Sequence, residues 1–143
     1  MTNDTPTITA TFVQDFFTHV DKRDFDRAEA MLSPDCAIAA PGFTQVGAQY
    51  VSLWMSGFFA AFPDLRHNPQ RTVIDEHGIA FELQVTGTHT ADLALPDGSS
   101  VPPTGRSIDI ILAEFWSHEN GLVTNYTVHY DNYDFLVQLG LLP

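Results

Sequence analysis

The sequence predicts an α+β domain, with helices early and strands late. Three observations carry this. Apolar residues recur at helical spacing through much of the first 62 positions. They alternate with period two through much of positions 71–130. The resulting order is helix, helix, strand, helix, then an antiparallel run of long strands, and such segregation is the α+β pattern. The helices must then cover one face of the sheet. A strongly curved sheet would enclose a pocket between its concave face and those helices.

The first helix is predicted from Ile8 onward, because Ile8, Phe12, Val13, Phe16, Phe17 and Val20 share one face. Thr7 suits its N-cap, and Lys22 and Arg23 suit the negative end of its dipole. Asp24 caps a short second helix with Phe25, Ala28, Met31 and Leu32 on one side, and Ser33-Pro34 stops it. Cys36–Ala40 reads as a short buried strand closed by Pro41-Gly42. The third helix runs from about Gly47 to Phe62, where Tyr50, Trp54, Phe58 and Phe62 step by fours and Val51, Met55 and Phe59 widen the stripe. Pro63 ends it.

Arg71–Glu76 and Ile79–His89 pair through His77-Gly78, with Phe81, Leu83 and Val85 facing one way. Residues 91–106 hold three of the nine prolines and form the longest loop. Ser107–His118 and Leu122–Tyr130 are long strands around Glu119-Asn120-Gly121. A short helix, Tyr133–Leu139, ends at Gly140 as its C′ residue.

The length of 143 residues suits one domain, 1–143, with residues 1–6 as a frayed tail. At 44% hydrophobic residues the chain can fill a core. Six Lys and Arg against 18 Asp and Glu leave a net charge of −12, which argues against nucleic acid and anionic membranes as partners. Lys22 is the lone lysine, so Schiff-base chemistry has little to work with. Cys36 is the lone cysteine, which excludes an intrachain disulfide and fits a cytoplasmic location. No apolar run is long enough to span a membrane, and the N-terminus does not read as a signal peptide.

The sequence has no GxSxG, HExxH, CxxC, Walker or GxGxxG motif. What remains is an acid–base or binding pocket built from scattered polar residues. The richest cluster is 125–132, where Asn125, Thr127, His129 and Asp131 share one strand face. That row suits a wet pocket with a carboxylate at its end. Asp131 or Asn132 equally suits the cap of the last helix. On the neighbouring strand Glu114, Trp116 and His118 share a face. Trp116 reads as core or pocket wall, and His118 as either an exposed turn residue or a site residue. His89, just before the long loop, reads as a structural histidine or a substrate contact. Arg106 reads as an anion clamp or the partner of a nearby acid. Phe43 and Trp54 could face a flat apolar ligand, with Phe58 beside them. No local spacing of His and carboxylates points to a metal, and none is expected.

Four pieces of the chain resemble the SnoaL-like polyketide cyclases, of the nuclear-transport-factor-2-like superfamily. They are Phe58–Leu65 (FFAAFPDL), Gly87–Thr90 (GTHT), Pro102–Arg106 (PPTGR), and Asp131 followed by Gln138–Pro143 (QLGLLP), in register over about residues 8–143. The resemblance implies a cone-shaped α+β barrel with a curved sheet wrapped by helices around a deep apolar pocket. It implies an intramolecular aldol condensation on an aromatic polyketide ester in antibiotic biosynthesis, with no metal and no cofactor. It also implies a homodimer formed through the outer face of the sheet. The family's acid–base aspartate matches Asp131, and its pocket histidine is matched here to His118. The chain departs from the family at Trp116-Ser117, where Arg is common, and at Asn125–Thr127, where Glu and Trp are common.

The expectation is therefore a cofactor-independent cyclase acting on a bulky, hydrophobic carbonyl compound. Asp131, His118 and His129 are its candidate catalytic residues. Phe43, Trp54, Phe58, His89, Arg106, Trp116, Asn125 and Tyr126 are its candidate substrate contacts. The alternatives are a non-catalytic small-molecule binding module, or an isomerase or hydrolase of the same fold.

Overall fold

A computed structural model describes residues 8–143. The expected tail and the Thr7 cap lie outside the described residues. Helix α1 is Phe12–Asp21, with Val13, Phe16, Phe17 and Val20 buried. It starts one turn later than Ile8, which still packs on the core from outside the helix. Helix α2, Phe25–Glu29, is capped by Asp24, whose carboxylate accepts from the Arg27 N–H.

Strand β1 is Leu32–Ala40, longer than the predicted Cys36–Ala40. Ser33-Pro34 therefore does not end the helix but lies within β1. The pairing register shifts between Leu32 and Ala37, and such a bulge tolerates proline's missing N–H. Strand β2, Phe43–Val46, is absent from the sequence expectation because its side chains are largely exposed and lack the alternation of a half-buried strand. It folds back on β1 through a turn at Gly42, which has a φ of 72°.

Helix α3 is Ala48–Ala61, close to the prediction. Strand β3 is Arg66–Ile74, beginning five residues before the predicted Arg71. Its polar edge character and Pro69, where the pairing with β4 becomes irregular, hid its first half. Strand β4 is Gly78–Thr88 and alternates between buried and half-buried residues along its length. The long loop holds a two-stranded ribbon, β5 (Leu93–Ala94) and β6 (Ser100–Val101). Strands β7 (Ser107–Glu119) and β8 (Leu122–His129) follow. Asn120 and Gly121 join them with φ of 53° and 79°, the pair of positive angles that favours Asn-Gly in a tight hairpin. Helix α4 is Asn132–Gln138.

The main sheet has the order β2-β1-β8-β7-β4-β3. Its late strands pair antiparallel, as expected, while β1 joins β8 in parallel. The sheet is curved, and the helices pack on its concave face. Trp116 is the hub of the core there. Its ring meets Phe16, Phe81 and Tyr126 at centroid distances of 5.1, 4.9 and 4.9 Å. On the convex face Val73, Ile111 and Phe115 stay exposed.

Two of the motif pieces meet in space. The Asp64 carboxylate accepts from the Thr88 N–H at 2.7 Å and from its hydroxyl at 2.9 Å. Those bonds hold the Asp64 carboxyl below its usual range, the backbone bond most of all. A side chain at Gly87 would put its Cβ 3.2 Å from the Phe62 Cβ. The Phe-Pro-Asp-Leu turn can thus lie directly on β4 because residue 87 is glycine.

Candidate functional site

The alternation of β7 and β8 decides which side chains enter the concavity. On β7, Ile108, Ile110, Leu112, Glu114 and Trp116 point in; on β8, Tyr126 and Val128 do. Between these strands and α3 lies an inner chamber of about 40 Å³. Its walls are mostly apolar, from Phe17, Met55, Leu65, Leu83, Val85 and their neighbours. Its ionisable lining groups are Glu114, His67, Tyr126 and Tyr130.

Glu114 is 1% exposed. One carboxyl oxygen accepts from the Trp116 indole N–H at 3.1 Å. Burial lifts its pKa from the usual 4.5 to about 8, even though hydrogen bonding from Trp116 and proximity of the Tyr126 hydroxyl favour the anion. At neutral pH it is therefore mostly a neutral acid with a proton to give. Tyr126 is wholly buried, and its hydroxyl lacks a regular hydrogen bond. Burial first, and then the charge of Glu114, push its pKa well above the tyrosine range. The nearest polar group to the hydroxyl is the Glu114 carboxyl, and both stand on the wall of the chamber.

His67 lies on the opposite wall, from β3. Its ring stacks on Phe17 at 5.1 Å. Asp21, at the end of α1, takes both the His67 N–H at 3.0 Å and the ring Nδ1 at 2.7 Å. A carboxylate can only accept, so Nδ1 donates its proton to Asp21. Asp21 thereby fixes the orientation of the ring, as carboxylates do for histidines in many sites.

A second, larger space of about 620 Å³ opens outside the chamber. It runs between α3, the β1–β2 turn at Pro41–Phe43, the loop at Leu93–Asp97 and α4. Trp54, Phe58, Tyr130 and Phe135 line both spaces and form the aromatic wall that they share. Burial raises the Tyr130 pKa as well.

Several expected site residues lie elsewhere. Asp131 is exposed and caps α4, accepting from the Asp134 N–H at 3.0 Å. It does not line the chamber. Asn125 and His129 are exposed, with Thr127 between them, on the convex face, where His129 packs edge-on against Phe115. The polar row of 125–131 is an outer surface, because Tyr126 and Val128 take the inward places. His118 sits at the far end of β7, its Nε2 against the Asp75 carbonyl oxygen at 3.0 Å. Arg106 is exposed and lies over the end of α4 beside Gly140, where a cation suits the helix dipole.

His89 is fully buried but ties the long loop rather than lining the chamber. Its Nδ1 accepts from the Thr104 N–H, and its ring stacks on Phe62 at 5.2 Å. Trp116 and Tyr126 are inside, Trp54 and Phe58 are in the wall shared by the two spaces, and Phe43 lines the outer groove. Among the described residues no three His, Cys, Asp or Glu side chains converge as a metal cluster. No helix among them is long and apolar enough to cross a membrane.

Glu114, His67 and Asp21 were not among the sequence candidates. Glu114 had a readable signal: it is the one acid in the inward series Ile108, Ile110, Leu112, Glu114, Trp116. The bond between His67 and Asp21 joins residues 46 positions apart, and no local pattern announces it.

The curved sheet, the helices on its concave face and the mostly apolar chamber between them form a cone of the nuclear-transport-factor-2-like fold. The profile of the SnoaL-like polyketide cyclases matches residues 7–139, and the chain belongs to that family. AclR of Streptomyces galilaeus, a proposed hydroxylase, is 26% identical over 92% of this chain and 94% of its own, with a TM-score of 0.75. IdmH of Streptomyces antibioticus, a proposed polyketide cyclase, is 22% identical over 90% and 95%, also at 0.75. TsrD of Streptomyces laurentii is 16% identical over 95% and 100%, at 0.79. Comparison with curated proteins finds no match.

Proposed function

We propose that the chain is a cofactor-independent enzyme that moves protons on a bulky, apolar carbonyl compound, closing a ring by an aldol-type step on a polyketide-like substrate. The observation that carries this is Glu114, a buried carboxylic acid that keeps its proton at neutral pH inside an apolar chamber. Family membership supports the substrate class.

In this reading His67 Nε2 takes a proton from the carbon next to a carbonyl. The C–H electron pair becomes an enolate, and its oxygen is held by the Glu114 O–H, with Tyr126 as a second donor. The enolate carbon attacks a second carbonyl of the same molecule, forming the new C–C bond. The alkoxide so made takes the proton back from His67. Atoms and electrons balance with no co-reactant, and the net change is an isomerisation.

The test is turnover of a panel of polyketide esters by the wild type and by Glu114→Gln, His67→Asn and Asp131→Asn. The first two should lose roughly 10²–10⁴-fold, the usual worth of a positioned acid or base. Asp131→Asn should work like the wild type. Full activity in Glu114→Gln would sink the reading. A homodimer belongs to the same proposal. Exposed Val73, Ile111 and Phe115 on the convex face support it. Light scattering should give twice the chain mass of 15.8 kDa, falling to that mass in Phe115→Glu.

A further inference from the structure

We propose that Arg23 is a positioning residue: its guanidinium clamps together the two elements that carry Asp21 and His67, and so holds the His67 ring at the chamber wall. Its effect on turnover rests on the function proposed above; the clamp stands on contacts of its own.

The backbone at Arg23 calls for glycine. The Arg23 N–H bonds to the Val20 carbonyl and the Asp24 N–H to the His19 carbonyl, the paired bonds of a Schellman ending to α1. In that ending the residue past the cap turns left-handed, and Arg23 has a φ of 62°. Glycine takes this conformation freely, whereas a side chain crowds the backbone. The chain places a long cation there nonetheless. The cost falls on the backbone, so the reason lies in what the side chain reaches.

Arg27 pairs with Asp24 and Arg71 with Glu82, but among the described residues Arg23 forms no ion pair. One guanidinium nitrogen donates to the Asp21 carbonyl oxygen at 2.8 Å, at the end of α1. Another donates to the Pro63 carbonyl oxygen, in the turn that runs into β3. The guanidinium carbon lies 3.8 Å from the centre of the Phe59 ring on α3.

Each of these three neighbours bears on His67. The Asp21 carboxylate takes its backbone N–H and its Nδ1 proton. Pro63 leads into the strand that carries it. Phe59 packs on its ring at 5.8 Å, and Phe17 stacks on the same ring at 5.1 Å. Asp21 and His67 are 46 residues apart, on separate elements, so nothing local keeps them in register. Arg23 fastens those elements from the surface. Its planar fork suits two carbonyls and an aromatic face at once, which a lysine ammonium does not match. A histidine that acts on a substrate needs such support, because small misplacements cost much of the rate.

The experiment follows the His67 Nδ1–H by nitrogen-edited proton NMR at neutral pH in the wild type, Arg23→Gly and Arg23→Lys. The Trp116 indole N–H, bonded to Glu114, is the internal reference. Arg23→Gly should exchange the His67 proton with water roughly tenfold faster, the worth of one lost hydrogen bond. The Trp116 proton and the urea midpoint should keep their wild-type values, since glycine suits the positive φ. Arg23→Lys keeps the charge without the fork and should loosen the ring as much. In turnover of a polyketide ester, Arg23→Gly should lower kcat by up to roughly 10²-fold, the cost of an ångström of misplacement, with KM unchanged.

A wild-type exchange rate at His67 in Arg23→Gly would overturn the proposal. The same rate in Arg23→Lys would also do so, since charge alone would then suffice. A lower urea midpoint in Arg23→Gly, with faster exchange at Trp116 as well, would make Arg23 a general brace and overturn it too. So would unchanged kcat in Arg23→Gly when His67→Asn is inactive. Failure of the catalytic reading looks different: His67→Asn stays active, while Arg23→Gly still quickens exchange at His67.

Discussion

Glu114 and Asp131 are carboxylates in adjoining stretches of chain, one within β7 and one just past β8, yet their surroundings are opposite. Glu114 is sealed among apolar side chains and keeps its proton to about pH 8. Asp131 is in water and its bonding is spent on the start of α4. The difference shows that environment, more than position along a strand, decides which acid keeps its proton at neutral pH. A capping aspartate stabilises a helix; a buried acid beside an indole N–H stays neutral in an apolar chamber.

The largest effect that would separate the two is on turnover, where Glu114→Gln and Asp131→Asn should differ by roughly 10²–10⁴-fold. Equal activity in the two variants would erase the distinction.

The next effect is on stability against pH. Between pH 4.5 and about 8 the folded chain holds a proton on Glu114 that the unfolded chain has released. The stability from this group is complete below 4.5 and is lost as pH rises toward 8. Urea unfolding at about pH 5 and about pH 8 should show a wild-type loss of a few kcal/mol that Glu114→Gln lacks. Asp131→Asn should keep the wild-type slope. A wild type and a Glu114→Gln variant with the same slope would contradict the buried, neutral acid.

The smallest effect concerns the cap alone. Asp131→Ala should lose about 1 kcal/mol of stability, while Asp131→Asn should lose little, because asparagine caps as well as aspartate. A loss as large for asparagine as for alanine would mean that the charge of Asp131 matters beyond capping.

Much of the fold was legible because burial writes periodicity into a sequence. The period-two run of Phe81, Leu83 and Val85, and the fours of Tyr50, Trp54 and Phe58, gave β4 and α3 nearly to the residue. Strand β2 and the first half of β3 were not legible, since edge strands with mostly exposed side chains carry little such imprint. The candidate site was less legible for a related reason. Asn125, Thr127 and His129 form a polar row that suits the lining of a wet pocket, and in the structure that row faces outward, as polar rows on strands commonly do. The interior announced itself by the reverse sign, a single acid in an apolar series at Glu114. The aromatic wall between the two spaces was partly visible in Trp54 and Phe58. Tyr130 and Phe135 joined it only through tertiary packing.

The parallel pairing of β1 with β8 also bears on how the chain folds during synthesis. Ile38 leaves the ribosome well before its partner Tyr126, which follows it by 88 residues (126 − 38). Pairings so distant in sequence form slowly, since the intervening loop must close first. The β3–β4 hairpin can form while translation continues, and β7 can dock on it before β8 exists. Through that interval the inner side of β1 and the indole of Trp116 lack the strand that later separates and covers them. Tyr126 is that cover: it stacks on Trp116 and is the register partner of Ile38. The residue that completes the wall of the chamber therefore also ends the nascent chain's exposure to misassembly.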